Sequence, residues 1–365
     1  MSLISLAENR WLPDGAVRFG IRRLLAGRLK RQQAENRPDA RHAESDFADY
    51  LRQSPIVIEA ASANEQHYEV PERFFELVLG HRLKYSCGYW PRAEMTLDGS
   101  EDAMLELTCQ RANIEDGMEI LELGCGWGSL SLWIAENYPN CRILCVSNSH
   151  SQREHIQGES AKRGLQNIEV VTANIAGFQT KQSFDRIISV EMFEHVRNYE
   201  RLLERIAGWL RPDGKLFVHI FCHRSAAYAF EVGGKSDWMA RHFFTGGIMP
   251  SANLLSHFQR DMLIQDQWPV DGTHYSRTCE AWLKNLDNNH YKVLALFRQH
   301  YDARAARIAV QRWRMFFMAC SELFKYRSGA EWKVTHLLLQ QRATDASVPN
   351  FHSTLRKVPV SAALK

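Results

Sequence analysis

The stretch Leu121-Glu122-Leu123-Gly124-Cys125-Gly126-Trp127-Gly128 limits what this chain can fold into more than any other. It continues an apolar run from Glu119 and leads into Leu130-Ser131-Leu132-Trp133-Ile134-Ala135, which has a helical pattern. A strand that turns through alternate glycines into a helix brings bare backbone close to a ligand at the helix N-terminus, because glycine has no Cβ to hold the ligand off. A dinucleotide site would need Gly-x-Gly-x-x-Gly and a carboxylate roughly 20 residues on for the ribose. That spacing is absent. Ser147-Asn148-Ser149-His150-Ser151-Gln152 offers no carboxylate, so ribose hydroxyls would have to bond Asn148 or the Gln152 amide. A plain polar turn is the competing reading, and the strand–turn–helix setting favours a site.

Around this turn the chain alternates short apolar runs with helical stretches. The runs are Glu119–Leu123, Arg142–Val146, Ile168–Val171, Arg186–Val190 and Lys215–His219. Five such strands predict an α/β fold with a doubly wound, mostly parallel sheet. Arg211-Pro212-Asp213-Gly214 reads as a stop before the fifth run, and Val334–Leu339 as a closing strand. Residues 225 to 260 and 276 to 330, rich in Trp and Phe, are expected to cover the open edge of the sheet as a helical, acceptor-binding cap. Residues 1 to 85 read as a helical extension, leaving 86 to 365 for the main domain. In the extension Val17, Ile21, Leu24, Leu25 and Leu29 recur at helical spacing among arginines and lysines. Such a helix can lie on an anionic membrane; packing on its own protein is the favoured reading.

A net charge of +3, with dispersed basic residues, argues against nucleic acid as a partner. The eight cysteines form no C-x-x-C pair and suggest reduced thiols in a cytoplasmic protein. No apolar run approaches a membrane span, so any membrane contact would be peripheral, through the N-terminal basic helix. No metal site is expected. Nothing in the sequence sets the oligomeric state, and a homodimer is compatible with it.

Four motifs together carry a resemblance: Tyr85-Ser86-Cys87-Gly88-Tyr89-Trp90, the Gly-Cys-Gly-Trp-Gly turn, Ser149-His150-Ser151-Gln152 and Phe193-Glu194-His195. Their order resembles the cyclopropane fatty acid synthase superfamily of S-adenosylmethionine (SAM) enzymes, over roughly residues 65 to 340. Three longer strings, Val190–His195, Phe244–Asn253 and Trp313–Phe317, look most like the coclaurine N-methyltransferase branch, which methylates benzylisoquinoline amines. The resemblance implies a class I SAM-methyltransferase, Rossmann-like fold, with SAM as cofactor and S-adenosylhomocysteine as product. It also implies that Tyr85 and Ser86 flank the methionine end of SAM, with Gly124 and Gly126 beneath. Asn148 and Gln152 would hold the ribose, and Asn174 and Ile175 border the adenine. Position 174 departs from the family, which more often has aspartate there; an asparagine carbonyl can still accept the bond.

Glu191, Glu194 and His195 follow the fourth strand at i, i+3 and i+4, which places them on one face if a helical turn starts there. A solvated helix start is the alternative. With the resemblance, catalysis is favoured. Methyl transfer from a sulfonium needs an acceptor lone pair, so an ammonium must first lose a proton to a base. Glu194 with His195 is the expected base, and Glu191 would orient the amine. The resembled N-methyltransferases have glutamate at this last position, and the lipid-cyclopropanating enzymes have glycine. Phe193, His219, Tyr275, Trp313 and Phe316 are expected around the acceptor, a small aromatic, alkaloid-like amine. The alternative is a cyclopropane-fatty-acyl-phospholipid synthase or related lipid methyltransferase that holds bicarbonate as its base. Cys87, Glu194, His219 and Tyr275 match the residues that hold the ion in those enzymes.

Overall fold

The computed structural model describes residues 2–35, 40–58, 70–231 and 237–342. The end of the expected main domain, 343–365, and part of the expected extension, 59–69, lie outside the described residues. Seven strands form one sheet: β1 (Glu119–Leu123), β2 (Arg142–Ser147), β3 (Ile168–Thr172), β4 (Phe184–Val190), β5 (Leu210–His223), β8 (Met262–Val270) and β9 (Trp332–Gln341). Their order is β3-β2-β1-β4-β5-β9-β8, and β6 (Tyr228–Ala229) pairs with β7 (Ile248–Met249) apart from it. The first five are mutually parallel, as expected from alternation with helices.

The structure corrects two expectations and adds a strand that the sequence reading did not predict. Val334–Leu339 is a strand, but β9 runs antiparallel between β5 and β8 instead of closing the sheet. The edge is β8, which the sequence reading missed because Met262-Leu263-Ile264-Gln265-Asp266-Gln267 has too few apolar residues for a buried strand. Arg211–Gly214 does not precede the fifth strand; it loops out inside it. Phe184 pairs with Leu210 and Arg186 with Lys215, so four residues on β5 face the single Asp185 on β4. Asp213 supports that loop at φ 65°.

Helices 97–111, 129–137 and 150–162 bury Leu105, Leu130 and Ile156 against one sheet face with Ile120, Ile143 and Phe217. Helices 40–53 and 199–209 cover the other, burying Leu51, Leu202 and Ile206. A third, aromatic core joins helices 14–35, 72–78, 272–288, 290–297 and 303–325 above the carboxyl end of the parallel strands. The basic N-terminal helix packs on its own protein: Val17 and Leu29 are buried, and Ile21 and Leu25 pack on the same core. Leu24 alone of that stripe is largely exposed, at 59%. Ion pairs fasten the helix. Arg18 makes a fork to Glu280 at 2.6 and 2.9 Å and reaches Glu322, while Asp14 meets the buried Arg314. Among the described residues no helix is long and apolar enough to cross a membrane.

Candidate active site

The glycine turn forms the floor of a cavity at the carboxyl edge of the sheet, where open α/β sheets bind ligands. Gly124 lies at φ 78°, and a Cβ there would come within 2.8 Å of Met192. Gly128, at φ 79°, precedes helix 129–137, and its Cβ would meet Ile156 at 2.6 Å. Gly126 faces open space. Tyr85, Ser86, Gly124, Gly126, Asn148, Gln152, Asn174 and Ile175 all line this cavity, as the sequence reading expects of a cofactor pocket. Ser149 caps helix 150–162, and Gln152 in its first turn takes a 2.6 Å bond from Ser147 Oγ on Oε1. Its Nε2 is buried without a partner, an orphan donor that a ribose hydroxyl would satisfy. The donor set therefore fits the nucleoside part of SAM.

Sequence reasoning missed Lys84 and Glu122 in the same wall. Lys84 is buried and donates to Ser86 Oγ, while Glu122 accepts from Ser131 Oγ. Burial raises the Glu122 carboxyl to about 7. Burial also lowers the Lys84 ammonium, against the pull of nearby carboxylates led by Glu191. Neither residue stood out because lysine before a motif and glutamate in a strand read as solvated edges.

The expected helical face for Glu191, Glu194 and His195 is not formed. Only Phe193–His195 is helical, a single 3-10 turn, and Glu191 precedes it at φ 49°. A glutamate in the left-handed region costs about 1–2 kcal/mol, and such outliers gather at functional sites. The backbone is held there by Glu191 N donating to His219 O at 2.8 Å. Its carboxylate is then gripped by three donors. Oε1 accepts from Cys87 N at 3.0 Å and lies 3.2 Å from His219 Nε2, and Oε2 accepts from Tyr275 Oη at 2.5 Å. Burial pushes the Glu191 carboxyl up, with Lys84 and these bonds opposing. Glu194 is fully buried; Oε1 takes Phe221 N at 2.7 Å and Oε2 has no partner. Burial, then the charge of Glu191, drives the Glu194 carboxyl well above the ordinary range.

A second cavity of about 580 Å³, largely apolar, lies under the cap. Tyr85, Glu191 and His195 line both cavities and mark where they meet. Tyr275 and Phe316 line the second, as expected; Phe193, Trp313 and His219 line neither. Phe193 is core, under the Tyr199 ring. Trp313 stands behind the wall, edge-on to Phe316 at 5.7 Å and against Phe74 at 4.6 Å. His219 acts on the site through Glu191. Glu194 also lines neither cavity, so it is not placed to touch an acceptor. The N-terminal helix supplies a wall that sequence reasoning did not assign to it, including Ile21, Leu25 and Arg28.

Strand order, glycine turn and cavity position together define a class I SAM-dependent methyltransferase fold. The chain matches the family described as mycolic acid cyclopropane synthetase over residues 57–334, and it belongs to that family. It is 38% identical over 346 residues to (S)-coclaurine N-methyltransferase of Thalictrum flavum subsp. glaucum, covering 94% of this chain and 96% of that one. Cyclopropane-fatty-acyl-phospholipid synthase of Escherichia coli (strain K12) is 26% identical over 273 residues, 74% of this chain and 66% of that one. The crystal structure of coclaurine N-methyltransferase bound to N-methylheliamine and S-adenosylhomocysteine superposes with a TM-score of 0.90 at 38% identity, covering 93% of this chain and 98% of that one.

Proposed function

We propose that this protein is a SAM-dependent N-methyltransferase acting on a small aromatic amine, with Glu191 and His195 at its reaction centre and Glu194 as a buried neighbour that does not touch the acceptor. The observation that carries the reading is the Glu191 carboxylate. Cys87, His219 and Tyr275, three of the four residues matched to a bicarbonate site, already spend their hydrogen bonds on it. A carboxylate supplied by the chain stands where the lipid-modifying alternative needs room for an ion. The similarity to coclaurine N-methyltransferase and the aromatic second cavity support the same choice.

When bound, SAM supplies an electrophilic methyl on a sulfonium. The chain does the rest. Glu191, held by three donors at the mouth between the cavities, offers a negative charge to an incoming ammonium. His195, at the same mouth, is the group placed to take its proton. Burial and the charge of Glu191 favour the protonated form of Glu194, which limits negative charge beside Glu191. Tyr275 and Phe316 give ring faces suited to a cationic or aromatic acceptor. Asn148 and Gln152 would hold the ribose, Asn174 and Ile175 the adenine edge, and Tyr85 and Ser86 the methionine end.

Labelled SAM incubated with a panel of tetrahydroisoquinolines and phenethylamines is expected to give N-methyl product and S-adenosylhomocysteine. No turnover of any amine, with cyclopropanation of unsaturated phospholipid vesicles, would overturn the assignment.

A further inference from the structure

Behind Glu191 a line of side chains crosses three strands at one level of the sheet. His219 on β5 lies directly opposite His336 on β9, which in turn lies opposite Trp268 on β8. The two imidazoles, both fully buried, meet at 2.9 Å from His336 Nε2 to His219 Nδ1. At the far end Arg111, the last residue of helix 97–111, places Nη1 2.8 Å from His336 Nδ1 and its guanidinium 5.3 Å over the Trp268 ring. Among the described residues no carboxylate forms an ion pair with Arg111. Among those residues its one side-chain hydrogen bond goes to the histidine.

An arginine can only donate. His336 Nδ1 must therefore be an acceptor, which puts the proton of the neutral ring on Nε2. That proton points at His219 Nδ1, which must accept, so His219 carries its own proton on Nε2 and donates it to Glu191 Oε1. Protonating His219 would bring two N–H groups together unless His336 changed tautomer, and that change would drive an N–H into Arg111. We propose that Arg111 is a positioning residue that locks both histidines as neutral Nε2–H donors, so that His219 always gives a hydrogen bond to Glu191 and never competes for the acceptor's proton.

The surroundings agree. Burial holds both rings well below the usual histidine range; Lys84 and Arg111 add to it at His219, and His219, Arg111 and Lys84 at His336. The other titratable groups facing the chain are Glu191 itself, with Tyr275 and Cys87 around it, and Tyr89 beside Arg111. Phe217 closes one side, edge-on to His336 at 5.1 Å. The proposal rests on the function proposed above only for its kinetic consequences.

The test is long-range proton–nitrogen NMR of the full chain with isotope-labelled histidine, the two rings being assigned from His219→Asn and His336→Asn. Both rings are expected to stay neutral with the proton on Nε2 from about pH 5.5 to 8.5. A proton on Nδ1 of either ring, or titration of either in that range, overturns the proposal; where a histidine variant does not fold, the ring pair is assigned from the proton contacts of His336 with Phe217. In folded Arg111→Met at least one ring should change tautomer or titrate, and unchanged ring signals there would also overturn it. Amine turnover by Arg111→Met should fall about tenfold or more through kcat, with the acid limb of its pH profile moved to higher pH and the KM for SAM unchanged. Arg111→Lys, which keeps one donor, should recover both. Loss of the assigned amine activity altogether would sink the functional reading and leave the ring signals to decide this one.

Discussion

At the residue scale the decisive group is Glu191, a side chain that keeps a left-handed backbone and three hydrogen-bond donors for one carboxylate. Glu191→Gln keeps the shape and removes the charge, so it should cut kcat about a hundredfold. Calorimetry should find S-adenosylhomocysteine bound within about threefold of the unsubstituted protein; equal loss of both would mean the side chain serves the cofactor and not the acceptor. Glu122 offers a pH test. Its folded carboxyl, at about 7, lies above the unfolded value near 4.5, so the folded state holds the proton longer. Its contribution is fully present below about pH 4.5 and is lost as pH rises through about 7, a fall on the order of 3 kcal/mol. Glu122→Gln should flatten that decline, which denaturant titrations at about pH 5 and pH 8 would measure; an unchanged slope would mean Glu122 ionises normally.

At the scale of elements, the turn and the N-terminal helix can be separated by mutation. Gly128→Ala forces a Cβ onto Ile156 at a positive φ and should cost about 3 kcal/mol, read as a lower denaturant midpoint. Arg18→Ala releases the helix from Glu280 and Glu322. Because residues 14–35 line only the second cavity, the KM for amine should rise about three- to tenfold while the affinity for S-adenosylhomocysteine holds; a parallel loss of both would show the helix acts on overall stability. The parallel strands were legible because apolar runs alternate with helices, while the eight residues that line the first cavity came from the family resemblance, six of them in segments that follow parallel strands. Three features were not. Asp266 and the two glutamines hid the edge strand, since an exposed edge needs no continuous apolar run. Spacing alone suggested a helix at 191–195, because the left-handed bend at Glu191 is set by its link to His219. Phe193 and Trp313 fit an aromatic pocket equally well as core, and only packing separates the two.

For the molecule as a whole, the cofactor cavity couples ligand binding to stability. S-Adenosylhomocysteine at about a hundredfold above its Kd should add about 2.7 kcal/mol and raise Tm by several degrees. An amine given without it should shift Tm less, since among the residues that line both cavities Glu191 alone offers it a carboxylate. A thermal shift assay decides this, and absence of any shift with S-adenosylhomocysteine would remove the cofactor reading.

The ion pair of Arg18 with Glu322 joins positions 304 residues apart. At about 5–20 residues per second, helix 14–35 leaves the ribosome roughly 15 to 60 seconds before Glu322 is made. Through that interval the apolar stripe of Val17, Ile21 and Leu25 lacks helix 303–325 to cover it. The wall that completes the second cavity is therefore among the first parts synthesised and the last to dock, and a nascent chain stalled before residue 322 would be a target for chaperones.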